Sequence, residues 1–213
     1  MSTASAVNAQ AGTLAASSRQ AKFAAMPTSA ADRASRSGIW LGLFTITMSF
    51  AAFTSALFVR EGTADWGHIV LPRVLYFNTF LLLCSSVSLE TARHSLMGGS
   101  LIDSAKSRKG AVWLLFTLIL GLAFCAGQYM AWQQLRAQGL YLATNPNSSF
   151  FYVLTFMHAL HLLAGIAVLG YLTGRVVASL TTFRRSLFEN TAIYWHFLGV
   201  LWVYLFVLCR MKL

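Results

Sequence analysis

Five long runs of apolar residues constrain this chain more than any other feature of its sequence. Each run approaches the ~20 residues that an α-helix, rising about 1.5 Å per residue, needs to cross roughly 30 Å of hydrocarbon. No alternating apolar and polar pattern runs through them, so helices rather than barrel strands are predicted. The fold class predicted is therefore all-α, an integral membrane bundle of five transmembrane helices. The predicted spans are Ile39 to Val59, Leu71 to Ala92, Ala111 to Leu135, Ser149 to Val177 and Asn190 to Cys209.

Composition supports the membrane assignment and excludes a nucleic-acid-binding protein. Of the 213 residues, 57% are hydrophobic and only 10% are charged, whereas a soluble domain carries roughly 25% charged residues. The net charge of +10 comes from Lys and Arg between the apolar runs and in the N-terminal tail, as expected of basic residues that flank membrane spans. Cys84, Cys125 and Cys209 lie at unrelated spacings inside apolar runs, so packing is predicted for them rather than disulfides or zinc.

The chain divides into an N-terminal tail and a membrane domain. Residues 1–37 are rich in Ala and Ser and more basic than acidic, which predicts a disordered basic tail, with an organelle transit peptide as the alternative. Residues 38–213 form the predicted transmembrane domain. The tail and the alternate connections hold 11 Lys and Arg residues against 5 on the other side. The positive-inside rule therefore predicts a multi-pass membrane protein with a cytoplasmic N-terminus and a C-terminus on the opposite side of the membrane.

Glu90 is the one acidic residue inside a predicted span. Arg93 follows three residues later, so an ion pair across one helical turn is expected, and a proton-relay carboxylate is the alternative. A transporter working through this chain alone would need an ionisable residue near mid-membrane, which weakens a carrier hypothesis without excluding it.

Two histidines in the fourth span lie on one helical stripe. Leu154, His158, His161, Gly165 and Val168 follow a spacing of four and three residues, which predicts that both imidazoles face another helix and bond across the seam. Haem or metal ligation is the alternative.

Metal or haem ligation by these histidines is disfavoured by their depth. By the predicted topology His158 lies in the outer half of the membrane and His196 near the inner end of its helix, and no CxxCH or HExxH motif is present. No catalytic, cofactor-binding or metal-binding residue is therefore predicted in this chain.

The last two spans carry the motifs of a known family. FFYVLTFMHALHLLAGI (Phe150 to Ile166) and YWHFLGVLWVYLF (Tyr194 to Phe206) resemble helices 4 and 5 of subunit III of the haem-copper terminal oxidases. That family has patterns like F-x-x-x-G-x-H-G-L-H-x-x-x-G and W-H-F-x-D-x-x-W. Further support comes from Ser85 to Leu96 and from Gln128. The matching positions are Phe151, His158, Leu160, His161 and Gly165, then Trp195, His196, Phe197 and Trp202.

The chain departs from the family where carboxylates stand. The aspartate of family helix 5 is Gly199, a glutamate of the first shared helix is Met48, and a glutamate beyond the helix 3 glutamine is Ala131. Met157 and Ala159 replace glycines beside the first histidine. A proton-handling role of those carboxylates therefore does not transfer, and the length resembles the five-helix bacterial form.

The resemblance implies a non-catalytic subunit of a respiratory oxidase that reduces oxygen to water. It implies subunits I and II and membrane phospholipids as partners, no cofactor in this chain, and haem and copper in the catalytic subunit. It leaves the electron donor open, as cytochrome c or a quinol. Alternatives are a small membrane carrier and the related subunit associated with nitric oxide reductases. The candidates for helix-seam or subunit contacts are His158, His161, Gly165, Trp195, His196 and Trp202.

Overall fold

The computed structural model describes residues 30–61, 71–97, 104–141, 146–178 and 185–212. These residues form five helices, each long and apolar enough to cross a membrane, and the predicted fold class is confirmed. The tail that is predicted to be disordered comprises residues 1–37. Residues 1–29 of this tail lie outside the described ranges. The helices are α1 Ala30–Glu61, α2 Val74–Met97, α3 Ser104–Ala137, α4 Pro146–Val177 and α5 Arg185–Lys212.

The helices extend beyond the apolar runs because polar residues continue them at the membrane boundaries. α1 begins at Ala30 rather than Ile39, so residues 30–37 of the expected tail are helical. Ala, Ser and Arg all tolerate a helix there. The basic stretch Lys106 to Lys109, expected in a connection, lies in the first turns of α3. The packing described below belongs to the unit Ile39–Leu213.

Helices α2 to α5 pack in a closed ring. Cα atoms approach within 8 Å between α2 and α3, α3 and α4, α4 and α5, and α5 and α2. Within the described ranges, no Cα atom of α1 comes that close to another helix. Side chains hold α1 instead: Tyr204 donates to Thr54 Oγ1 at 3.0 Å, and Lys212 Nζ lies 2.9 Å from Glu61 Oε2.

The bundle is apolar on its outside as well as in its interior. Trp195, Trp202 and Phe124 are buried in the centre. Trp40 and Phe80 are among the many large apolar side chains that remain exposed on the outer faces. Such an exterior needs hydrocarbon or another apolar surface around it.

Many Ser and Thr hydroxyl groups inside the spans bond to their own helices. These groups donate to the carbonyl oxygen four residues earlier, which satisfies the hydroxyl without water. Such bonds are made by Thr45, Thr47, Ser49, Thr54, Thr79, Thr91, Ser95, Thr117, Thr155, Thr173 and Thr191.

Candidate functional site

His158 lies at the centre of the ring of four helices. Its ring centroid is 5.2 Å from that of Trp202 on α5 and 6.0 Å from that of Phe124 on α3. The side chain is 0% exposed, and neither ring nitrogen has a hydrogen-bond partner in the described part of the chain. His158 therefore lies between helices, as expected, but its contacts with the neighbouring helices are with aromatic rings and are not hydrogen bonds.

His161 faces a different neighbour. Its Nδ1 lies 2.6 Å from the carbonyl oxygen of Met157 on its own helix, and its ring centroid is 5.9 Å from that of Phe50 on α1. The hydrogen bond expected across the seam is thus made within α4. The predicted stripe turns away from the core at this point, since Val168 is 40% exposed while Leu162 and Leu169 are buried.

Gly165 marks a close approach of α4 and α5. A Cβ atom added there would stand 3.2 Å from Cε1 of Tyr194 and 3.5 Å from Cε3 of Trp195. Tyr194 also donates its hydroxyl to the carbonyl oxygen of His161 at 3.0 Å. A small residue in α4 therefore lets the aromatic rings of α5 lie against its backbone, as is common between membrane helices.

Two buried tryptophans of α5 join it to α2. Trp195 donates its indole N–H to Ser85 Oγ at 3.1 Å, and Trp202 donates to Thr79 Oγ1 at 3.0 Å. Both rings are buried, so each N–H needs a partner, and α2 supplies a hydroxyl at both levels. The sequence motif indicated these tryptophans, but only the packing identifies their partners.

Glu90 receives basic groups from two helices. Arg93 Nη1 lies 3.1 Å and His94 Nε2 lies 3.3 Å from Glu90 Oε1, both on α2. His196 on α5 places Nε2 3.7 Å from Glu90 Oε2. The side chains of Glu90, Arg93 and His196 are each between 36% and 43% exposed, so the group lies at the bundle surface. Sequence reasoning indicated Arg93 but not the contact with His196.

Two buried amides were not among the predicted site residues. Asn78 on α2 donates to the carbonyl oxygen of Phe124 at 3.4 Å, while its Oδ1 has no partner within the described residues. Gln128 on α3 is 2% exposed, and both polar atoms of its amide are without partners there. A lone amide within an apolar run was the available signal, although such a residue is also compatible with simple packing.

The three positions that lack the family's carboxylates have different surroundings. Met48 is 56% exposed on α1, whereas Ala131 is fully buried in α3. Gly199 is buried in α5, and a Cβ atom there would meet Ser86 Oγ at 3.5 Å. These three positions are apolar. Among the acidic residues of the described spans, Glu90 is therefore the one that lies away from the helix ends.

Three histidines of the described helices have different neighbours. His158 packs against Phe124 and Trp202, His161 against Phe50, and His196 beside Glu90. The described ranges contain no group of three His, Cys, Asp or Glu residues able to hold a metal ion.

Comparison with known proteins gives consistent matches over most of the chain. The family described as cytochrome c oxidase subunit III matches residues 18–211. Quinol oxidase subunit 3 of Bacillus subtilis (strain 168) is 32% identical over 177 residues, which cover 79% of this chain and 82% of that protein. Cytochrome c oxidase subunit 3 of Synechocystis sp. is 32% identical over 174 residues, 81% of this chain and 69% of that protein. Cytochrome c oxidase subunit 3 of Branchiostoma lanceolatum is 31% identical over 201 residues, 89% and 73% respectively.

Proposed function

This chain belongs to the cytochrome c oxidase subunit III family, and from that premise we propose that it supports oxygen reduction in a bacterial respiratory oxidase without carrying a redox centre. The match to the family over residues 18–211 is the observation that carries the proposal. The chain is subunit III of a haem-copper oxidase. Its relatives are named both quinol oxidase and cytochrome c oxidase subunits, so the proposal holds for either electron donor.

The surroundings of the histidines support the absence of a redox centre. Haem ligation by two imidazoles needs both rings to face one cofactor from opposite sides. His158, His161 and His196 instead contact different neighbouring helices, and two of them already bond or pair within the protein. Haem and copper would therefore belong to the partner catalytic subunit, and this chain would contribute packing.

The apolar exterior supports partners in the plane of the membrane. Large exposed side chains cover the outer faces of α1, α2 and α3, including Phe44, Phe77 and Leu115. We infer that one part of this surface covers the catalytic subunit, with subunit II completing the complex, and that phospholipids cover the remainder. In this role the chain would keep lipids ordered and the metal site of the partner intact over many turnovers.

The distribution of basic residues supports an orientation in the inner membrane. Lys and Arg number 11 on the side of the N-terminus and 5 on the side of the C-terminus. The N-terminus would therefore be cytoplasmic and the C-terminus periplasmic. In the structure Arg175 lies in the last turn of α4, at the more basic side, and Arg136 in the last turn of α3, at the less basic side.

Purification from the native membrane in a mild detergent tests the proposal. An affinity-tagged chain should bring with it a larger subunit that contains haem and copper in fixed stoichiometry. The isolated chain, after removal of its partners, should show no haem absorption and no metal that survives chelation. A chain that purifies alone and transports a solute in vesicles would instead identify a carrier and contradict the proposal.

A further inference from the structure

Gln128 and His158 present an unusual concentration of unpaired polar atoms inside the bundle. Their side chains are 2% and 0% exposed, and all four polar atoms of the amide and the imidazole lack hydrogen-bond partners within the described residues. Leaving such atoms unpaired in an apolar interior is costly, because no lipid or aromatic ring replaces the bonds that water would make. Buried polar groups are nearly always satisfied by protein or by ordered water.

Contacts on either side of Gln128 place it at the level of His158. Phe124, one helical turn before Gln128, lies against the His158 ring with centroids 6.0 Å apart. Trp132, one turn after Gln128, donates its indole N–H to Thr155 Oγ1 at 3.1 Å. Thr155 and His158 belong to one turn of α4, so Gln128 on α3 faces the same turn.

Helical geometry also directs Gln128 toward α4. Successive residues of a helix are about 100° apart, so Gln128 lies between Phe124, which faces the centre of the bundle, and Trp132, which faces α4. Gly127 lies on the opposite flank, where a Cβ atom would overlap the Asn78 amide of α2. The amide of Gln128 and the imidazole of His158 are therefore both directed into the interior between α3 and α4.

We propose that ordered water binds between Gln128 and His158 and links α3 to α4 in the core of this subunit. No direct hydrogen bond joins the two side chains, although the flanking contacts of Phe124 and Trp132 direct both toward the interior between α3 and α4. A polar pair separated by more than about 3.5 Å is commonly bridged by water. Water both donates and accepts hydrogen bonds, as do a neutral imidazole and a carboxamide. One or two molecules can therefore satisfy the amide and at least one ring nitrogen.

The chemistry of the surroundings favours water over an ion. Phe124 and Trp202 close the site on the side of His158 with aromatic faces and edges. No carboxylate of the described chain is recorded in contact with Gln128 or His158, and an uncompensated charge at this depth would be expensive. Asn78, which bonds to the Phe124 carbonyl on the α2 side, offers its Oδ1 as a further acceptor near the same turn.

High-resolution cryo-electron microscopy of the intact oxidase tests the water site directly. The expected result is density for at least one water within about 3.2 Å of both the Gln128 amide and a His158 ring nitrogen. Because one lost interaction can leave the fold intact, the same measurement is made on Gln128→Leu, where that density should disappear. A direct bond between Gln128 and His158, or two separated side chains with no density between them, would overturn the proposal.

A double-mutant cycle gives a second readout, the energetic coupling between Gln128 and His158. The rate at which heating releases the subunit from the complex should rise about 3- to 20-fold in Gln128→Leu and in His158→Leu. The double variant should rise less than the product of the two, because it removes both unpaired groups together.

Asn147→Leu is the matched control for this cycle. Asn147 is also a buried amide without partners in the described residues, but it lies 11 residues from His158, roughly 16 Å along α4. Its effect should multiply with that of Gln128→Leu. If the changes in release rate multiply for Gln128 with His158 just as they do for Gln128 with Asn147, then Gln128 and His158 share no bound water.

Discussion

Trp202 donates its indole N–H to the hydroxyl oxygen of Thr79, 3.0 Å away, and so fastens α5 to α2. The same indole lies 4.8 Å from the ring of Phe124 on α3 and 5.2 Å from that of His158 on α4, measured between centroids. One side chain thus touches all three other helices of the ring. Its loss should be felt in the packing of the whole bundle.

The two halves of the Trp202–Thr79 bond should differ in importance. Trp202→Phe leaves Thr79 satisfied, since the Thr79 hydroxyl donates to the Leu75 carbonyl at 2.9 Å. The lost hydrogen bond should lower the stability by about 1 kcal/mol, and the smaller ring lowers it further by leaving a cavity. Thr79→Val leaves the buried indole N–H unpaired and should cost about 1–3 kcal/mol.

The measurement for this pair is the temperature at which half of the subunit leaves the complex. Trp113→Phe is the control, because Trp113 lies at the bundle surface with 39% exposure. A Thr79→Val complex as stable as the control would mean that the indole finds another partner.

Gly165→Leu should weaken the contact between α4 and α5. A Cβ atom at Gly165 would already stand 3.2 Å from the Tyr194 ring, and Leu adds three further carbons beyond it. Overpacking of this kind typically costs about 1–3 kcal/mol. Gly174→Leu in the same helix is the control, because nothing lies within 4 Å of its added Cβ. Retention of the subunit after detergent extraction should fall for Gly165→Leu alone, and equal retention would show that α4 and α5 can separate without loss.

Glu90→Gln should have a small effect on stability. Its neighbours Arg93 and His196 are partly exposed and His94 is largely exposed. An exposed ion pair such as that with Arg93 contributes about 0.2–1 kcal/mol. The loss should shrink further as salt concentration rises, because salt screens exposed charges. Turnover and proton release of the purified oxidase should stay within about twofold of wild type. Abolished proton release with the subunit retained would assign Glu90 a place in a proton path.

Reporter fusions test the orientation. A reporter enzyme that is active only in the periplasm should be active when it is fused after Leu213. One that is active only in the cytoplasm should be active when it is inserted between Gly99 and Ser100. The 11 to 5 distribution of Lys and Arg is the physical reason. The opposite pair of results would invert the topology, while the helix packing described above would be unaffected.

The sequence predicts the helices of this protein better than their contacts. Apolar length alone identifies five spans, because each must be long enough to cross hydrocarbon. It does not show how each helix is rotated, since lipid-facing and core-facing residues are both apolar, as Phe80 and Phe124 illustrate. The spacing of His158 and His161 predicted one shared stripe, yet α4 turns so that His158 faces the core and His161 faces α1.

Contacts between distant residues were the least accessible from the sequence. His196 and Glu90 are 106 positions apart in the chain, and their approach depends on the position of α5 against α2. The direction of the His161 hydrogen bond could not be predicted either, because the Met157 carbonyl and a neighbouring helix are both within reach of the ring. The family motifs, in contrast, specify residue types at fixed spacings, and they identified the family from two helices.

Initial turnover per haem, in oxidase that retains a subunit carrying both His158→Leu and His161→Leu, is the most direct test that this chain supports the reaction without performing it. Leu has a volume similar to that of His and buries no new polar group, so the fold is disturbed little. The rate in the first seconds should lie within about twofold of wild type, although the subunit should leave the complex more readily on heating. A rate about a hundredfold lower, with the subunit fully retained, corresponds to nearly 3 kcal/mol of lost transition-state stabilisation and would contradict the account.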